Sequence, residues 1–150
     1  MIKYISTQVC FREVPDEVSL CINISNCPHR CKGCHSAILR EDVGEVLDQD
    51  ELKSLIEKND GITCVCFMGH AGDPLSINRL ALFVKSMGLK TAIYIGDKEI
   101  PKELNLLYLD YIKVGPYIEE LGPLDNPNTT QRMYEIVDGQ PVDITKKFWK

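Results

Sequence analysis

The chain has 150 residues, of which 44% are hydrophobic and 26% charged, and its formal net charge is -5. We expect residues 1–150 to form a single domain with one core; the acidic balance argues against a nucleic-acid partner, and no stretch approaches the ~20 apolar residues of a membrane span. The seven cysteines, an odd number, do not form a closed disulfide framework. Because the first residues also lack a long apolar signal region, we expect a cytoplasmic protein whose cysteines are thiols, metal ligands or core residues.

Strands and helices are predicted to alternate along the chain. Strands are predicted at 2–11, 18–24, 62–68, 90–95, 108–114 and 133–137, with helices from Asp48 or Asp50 to about Asn59, from Pro74 to Gly88, and from Pro101 through Leu107. Helical spacing predicts two apolar stripes that face the core, Leu52, Leu55 and Ile56 in the first helix and Ile77, Leu80, Ala81, Val84 and Met87 in the second. Asp138-Gly139 is expected to turn the chain into a polar tail. This order predicts right-handed βαβ units, and since 150 residues are too few for eight units, the expected fold class is α/β, a partial (open) β/α barrel of mostly parallel strands.

Four cysteines fall within predicted strands. Cys10 ends the first strand and Cys21 lies in the second, and we interpret both as small core or strand residues. Cys64 and Cys66 are two residues apart in one strand and should point to the same face. We interpret this pair also as core, because neighbours on one strand face are poorly placed for a disulfide.

The other three cysteines, Cys27, Cys31 and Cys34, follow the second strand directly. On a helix the outer two would be separated by about 10.5 Å along the axis, too far for one small metal centre. Pro28 and Gly33 instead favour a curled loop that can aim three thiolates at one point. Thiolates are the ligands of iron–sulfur clusters, and three of them leave one iron of a four-iron cluster without a protein ligand.

A zinc-binding interaction module is the alternative from another class of protein. There His29 or His35 would be the fourth ligand, although the adjacent Cys34 and His35 rarely converge on one ion.

The loops at 69–74, 96–97 and 114–117 also follow predicted strands. In parallel α/β architectures such loops gather at the carboxyl ends of the strands, which predicts one shared site.

Three stretches resemble known proteins. The spacing Cys27-x3-Cys31-x2-Cys34 resembles the signature of the radical S-adenosylmethionine enzymes. Gly69-His70-Ala71-Gly72-Asp73-Pro74 is similar to the glycine-rich loop of that superfamily, with His-Ala and Asp where Gly-Gly and Glu are commoner. The end of the anaerobic ribonucleotide reductase activating proteins is similar to residues 113–117 (Lys-Val-Gly-Pro-Tyr) and 128–132 (Asn-Thr-Thr-Gln-Arg). Those proteins also have Gly immediately before the third cysteine, as this chain does at Gly33. His35 stands where that group often has Tyr.

The resemblance implies a radical S-adenosylmethionine type of barrel with two cofactors, a [4Fe-4S] cluster and S-adenosyl-L-methionine. Cys27, Cys31 and Cys34 would be the cluster ligands. Backbone groups of Gly69, His70, Ala71 and Gly72 would hold the methionine end of S-adenosylmethionine, with Asp73 beside them. Lys113 would contact the carboxylate or ribose, unless it is an exposed lysine at a strand end.

The resemblance also implies partners. Reductive cleavage of S-adenosylmethionine would produce a radical that abstracts an α-hydrogen from a glycine of the anaerobic (class III) ribonucleotide reductase large subunit. An electron donor such as flavodoxin or ferredoxin would reduce the cluster. Thr129–Arg132 would serve the partner interface or form a capped turn. Another radical S-adenosylmethionine enzyme, acting on a small molecule or on another glycyl radical enzyme, stays open as an alternative.

Overall fold

The structure, a computed structural model, describes residues 2–11, 13–25, 44–69, 73–97, 99–115 and 131–148. The strands within these ranges are β1 (Lys3–Cys10), β2 (Ser19–Ile24), β3 (Glu45–Val46), β4 (Cys64–Met68), β5 (Lys90–Tyr94), β6 (Tyr111–Val114), β7 (Arg132–Val137) and β8 (Gln140–Asp143). Two α-helices connect the central strands, α1 (Gln49–Lys58) and α2 (Pro74–Ser86). Neither these helices nor any other described one is long and apolar enough to cross a membrane.

The described strands form one eight-stranded sheet in the order β3-β1-β2-β4-β5-β6-β7-β8. The four central strands, β2, β4, β5 and β6, run parallel to one another. The outer strands pair antiparallel on both sides, so the sheet is mixed. Crossover connections between successive strands produce a parallel arrangement like that of the four central strands. The partial barrel stays a prediction.

Both α-helices begin where the sequence predicts. Asp48 caps α1, its Oδ1 accepting a hydrogen bond from the Glu51 N–H at 2.9 Å, and the chain leaves the helix at Asn59. Asp73 caps α2, Pro74 occupies its first turn, and Gly88 follows its end with a φ of +77°. The apolar stripes are buried as expected, at Leu52, Leu55 and Ile56 in α1 and at Ile77, Leu80, Ala81 and Val84 in α2.

The two faces of the sheet bury different side chains. One face packs against α1 and α2 and is aliphatic and aromatic; Leu20, Ile22, Val65, Phe67 and Ile93 belong to its cluster. The other face, called here the cysteine face, buries Cys10, Val14, Cys21, Cys64, Cys66, Ala92, Tyr111 and Met133. Successive side chains of a strand point to opposite faces of the sheet, and this alternation places the two sets of residues on different faces. The predictions that these four cysteines are buried, and that Cys64 and Cys66 share a face, are confirmed.

Several local predictions were wrong. Met87 lies at the end of α2 and is 37% exposed, so it is not a core residue. The helix predicted from Pro101 is instead a 3-10 turn at Leu106–Tyr108. The expected polar tail after Asp138-Gly139 is β8, which pairs with β7. Both turn residues have positive φ, 52° and 77°, as a two-residue hairpin requires.

Candidate functional site at the carboxyl edge

The carboxyl ends of the four parallel strands lie side by side, as the loop positions predict. The ladders pair Asn23 with Met68, Met68 with Tyr94, and Tyr94 with Lys113. These residues therefore form one row across the sheet, close to where each strand ends. Because paired residues of adjacent strands point to the same side, the row belongs to the cysteine face. Any loop that follows these strands starts from this row.

The three predicted cluster ligands, Cys27, Cys31 and Cys34, lie outside the described residues, as do His70, Ala71, Gly72, His29 and His35. So do residues 116–130, which include Thr129 and Thr130 of the stretch predicted for the partner interface. The chain enters the cysteine loop from β2, at the carboxyl edge. Ser25, the last residue described before the loop, is buried, and its N–H donates to the Lys3 carbonyl at 3.0 Å. The position of the loop's origin is thereby fixed against β1.

Gly69 directly follows β4 and begins the predicted glycine-rich loop. Its φ of +115° lies in the region that favours glycine. A Cβ placed there would lie 3.6 Å from the Ile24 Cβ, which is ordinary contact. The backbone conformation, rather than lack of space, therefore accounts for glycine at this position.

Asp73 lies at the start of α2, and both oxygens of its carboxylate contact Ser76. Oδ1 accepts a hydrogen bond from the Ser76 N–H at 3.3 Å, and Oδ2 accepts one from the Ser76 hydroxyl at 2.6 Å. The hydrogen bond from the hydroxyl is the main reason why the pKa of Asp73 is lowered. Asp73 is thus an ionised helix cap at the carboxyl edge, and a function in cofactor binding stays a prediction.

Lys113 is buried, with 8% of its surface exposed, so it is not the exposed strand-end lysine of the alternative interpretation. Its Nζ donates to the carbonyls of Gly115 at 3.2 Å and Ile95 at 3.4 Å, both just beyond strand ends. The ammonium also lies 5.5 Å from the centroid of the Tyr94 ring. These contacts hold a positive charge at the carboxyl edge, and whether that charge serves a cofactor stays a prediction.

A second row of the cysteine face lies one pleat further from the edge. Cys21 pairs with Cys66, Cys66 with Ala92, and Ala92 with Tyr111. Hydrogen bonding between the two thiols lowers the pKa of Cys21, whereas the same bond and burial raise the pKa of Cys66 well above its usual range. On the other side of Cys21 lies Cys10, and burial raises the pKa of its thiol to about 12. The thiols of Cys10, Cys21 and Cys66 thus lie one after another across the neighbouring strands β1, β2 and β4.

The segment 13–18 packs against the cysteine face. The Tyr94 hydroxyl donates to the Glu13 carbonyl, Val14 is fully buried, and the Tyr111 hydroxyl donates to a Glu17 carboxylate oxygen at 3.4 Å. The Cys10 and Cys21 sulfurs and a Glu13 carboxylate oxygen all lie within 4.8 Å of one another. Sequence reasoning assigned no such group, because the pairing that joins Cys10 to Cys21 is not a local pattern.

The described part of the carboxyl edge carries two opposite charges, the Lys113 ammonium, which donates to two carbonyls, and the Asp73 carboxylate, which accepts from Ser76. The ammonium of Lys113 can receive a carboxylate, and the carboxylate of Asp73 can receive an amino group. A zwitterionic ligand with both groups therefore matches these side chains in chemistry. No protein-family model matches the chain, and neither a curated protein nor a solved structure does.

Proposed function

We propose that this chain is an activating enzyme that reductively cleaves S-adenosylmethionine at a [4Fe-4S] cluster and generates a glycyl radical on anaerobic ribonucleotide reductase. The observation that carries the proposal is the spacing Cys27-x3-Cys31-x2-Cys34 directly after β2. Three soft ligands suit an iron–sulfur cluster and leave one iron free to bind a further group. The neighbouring edge supports the proposal, because its charged groups suit the amino-acid end of S-adenosylmethionine.

The chain's own residues have three tasks in this proposal. Cys27, Cys31 and Cys34 hold the cluster, and Lys113 attracts the carboxylate of S-adenosylmethionine. Gly69, with its positive φ, begins the loop that would hold the methionine end, and Asp73 favours the amino group of S-adenosylmethionine. When bound, the two cofactors supply one-electron cleavage of a carbon–sulfur bond and abstraction of a hydrogen atom. The protein supplies position and excludes water.

The partner in this proposal is the large subunit of the anaerobic (class III) reductase. A glycine suits radical storage because its α-carbon carries no side chain and its backbone can approach another protein closely. Flavodoxin or ferredoxin in the cytoplasm would supply the electron.

The test is anaerobic reconstitution with iron and sulfide, followed by reductant and S-adenosylmethionine. We expect 5′-deoxyadenosine to form, and a glycyl radical signal in electron paramagnetic resonance only when the reductase is present. Cys31→Ala should lose cluster assembly and cleavage while keeping its fold. Cys64→Ser is the matched control, since Cys64 is buried on the cysteine face and should keep both.

The alternatives predict different results in the same experiment. A zinc module would take up no iron or sulfide. An enzyme with a small-molecule substrate would consume S-adenosylmethionine productively without the reductase. Full cleavage by Cys31→Ala would contradict the ligand assignment.

A further inference from the structure

We propose that Cys10, Glu13 and Cys21 form a zinc site on the cysteine face, separate from the cysteine loop. The Cys10 and Cys21 sulfurs and a Glu13 carboxylate oxygen all lie within 4.8 Å of one another. Two thiolates and a carboxylate are ligands that Zn²⁺ accepts in tetrahedral sites. Three protein ligands leave the fourth position for a water molecule.

The sheet fixes the two thiols. β1 and β2 pair antiparallel, with Cys10 opposite Ser19 and Cys21 opposite Gln8, so the cysteines are diagonal neighbours on one face. Both are buried, with 8% and 1% of their surfaces exposed. A zinc–sulfur bond is about 2.3 Å long, so two sulfurs on one tetrahedral zinc lie about 3.8 Å apart, and bringing these two sulfurs together takes a shift of at most ~1 Å.

The third ligand is held in place by other contacts. Glu13 lies three residues after Cys10, in the segment that crosses the cysteine face. The Tyr94 hydroxyl binds its carbonyl, and the side chain of the next residue, Val14, is fully buried. Glu13 itself is only partly buried, which gives an ion a path from solvent. The site is therefore largely preformed and accessible from one side.

The binding step balances simply. Each thiol loses its proton to solvent as its sulfur bonds to zinc, and the carboxylate binds in its ionised form. Three negative ligands around a doubly charged ion leave one net negative charge, spread over two sulfurs and one carboxylate. The ion would tie the segment 13–18 to both β1 and β2.

The test uses the full chain with Cys27, Cys31 and Cys34 all replaced by Ser, so that the cysteine loop cannot hold the metal. Under a disulfide reductant, zinc is titrated in competition with a chromophoric chelator, and cobalt is added separately as a spectroscopic probe. We expect one zinc per chain and a sulfur-to-cobalt charge-transfer band. At about 100 times the dissociation constant, zinc should raise the melting temperature by about 5 to 10 °C.

Cys21→Ser and Glu13→Gln in this background should each weaken zinc binding by at least ~100-fold, because even loss of an outer-shell partner costs 10- to 100-fold. Cys64→Ser is the matched control, a buried thiol of the same face outside the ligand group, and should bind as the background chain does. If Cys21→Ser fails to fold, zinc binding by Glu13→Gln decides whether the site exists, since the Glu13 side chain is not part of the core.

Three results would overturn the site: no zinc bound by the background chain, equal binding by Glu13→Gln, or equal loss in Cys64→Ser. None of these bears on the proposed function, because the cluster ligands are absent from every chain in the experiment.

Discussion

The cap of α2 allows a sharp prediction, because Asp73 contributes both hydrogen bonds and charge. Its carboxylate accepts from the N–H and the hydroxyl of Ser76, and the first turn of the helix contains no acidic residue. Asp73→Ala removes both contributions and should lower the free energy of unfolding by about 1 to 2 kcal/mol. Asp73→Asn keeps an acceptor for the N–H and removes only the charge, so it should cost about 0.3 to 1 kcal/mol.

The cost of Asp73→Asn should depend on pH. The pKa of Asp73 is lowered in the folded protein, chiefly by the Ser76 hydroxyl. A carboxyl group whose folded pKa is depressed stabilises the fold above its unfolded pKa of about 3.9, and this stabilisation is lost as the pH falls through the folded pKa. The two proteins should therefore differ at pH 7 and converge at acidic pH.

Urea denaturation followed by circular dichroism, at pH 7 and in steps down to pH 2, measures both effects. Asp48→Asn is the matched control, since Asp48 caps α1 but has Asp50 and Glu51 in the first turn behind it. Those charges already supply the interaction with the helix dipole and repel Asp48, so its replacement should change stability by less than about 0.5 kcal/mol. Equal costs for the two Asn variants, or a cost at Asp73 that does not change with pH, would refute the reasoning.

Three further substitutions test the core and the carboxyl edge. Phe67→Ala should lower the free energy of unfolding by about 3 to 5 kcal/mol in urea melts, because Phe67 is fully buried. Phe11→Ala is the control: the Phe11 side chain is 71% exposed, so the free energy of unfolding should change by less than about 0.5 kcal/mol. Gly69→Ala should cost about 1 to 3 kcal/mol through its φ of +115° alone; an unchanged melting curve would contradict this. Lys113→Met should leave stability within about 1 kcal/mol, since lost contacts and relieved desolvation oppose each other. If Lys113 binds the cofactor, the KM for S-adenosylmethionine should rise at least ~10-fold, and an unchanged KM would assign Lys113 to structure alone.

Features that depend on nearby residues were predictable from the sequence. The cap at Asp48, the apolar stripe of Leu52, Leu55 and Ile56, and the burial of Cys64 and Cys66 are confirmed. Each follows from a period of 3.6 or two residues, or from a side chain that reaches its own backbone. The parallel pairing of β2, β4, β5 and β6 also agrees with the predicted βαβ order.

Features that depend on pairing with distant residues were missed. β3 is only two residues long and exists because Glu45 and Val46 pair with β1. β8 is exposed along its whole length, so it shows no apolar alternation, and Asp138-Gly139 was the only local signal for its hairpin. Met87 was wrongly assigned to the core because the helical spacing of apolar residues continues past Ser86, where α2 ends.

The same contrast separates the two cysteine groups. Cys27, Cys31 and Cys34 are close in sequence, so spacing alone suggests a shared metal, whatever the rest of the fold does. Cys10 and Cys21 come together through the antiparallel register of β1 and β2, and Glu13 through the bond between Tyr94 and its carbonyl. A shift of one residue in that register would move Cys21 to the helix-packed face and separate the ligands. Zinc binding by Cys10, Glu13 and Cys21 would therefore also test the strand register, whereas cluster assembly in the loop would not.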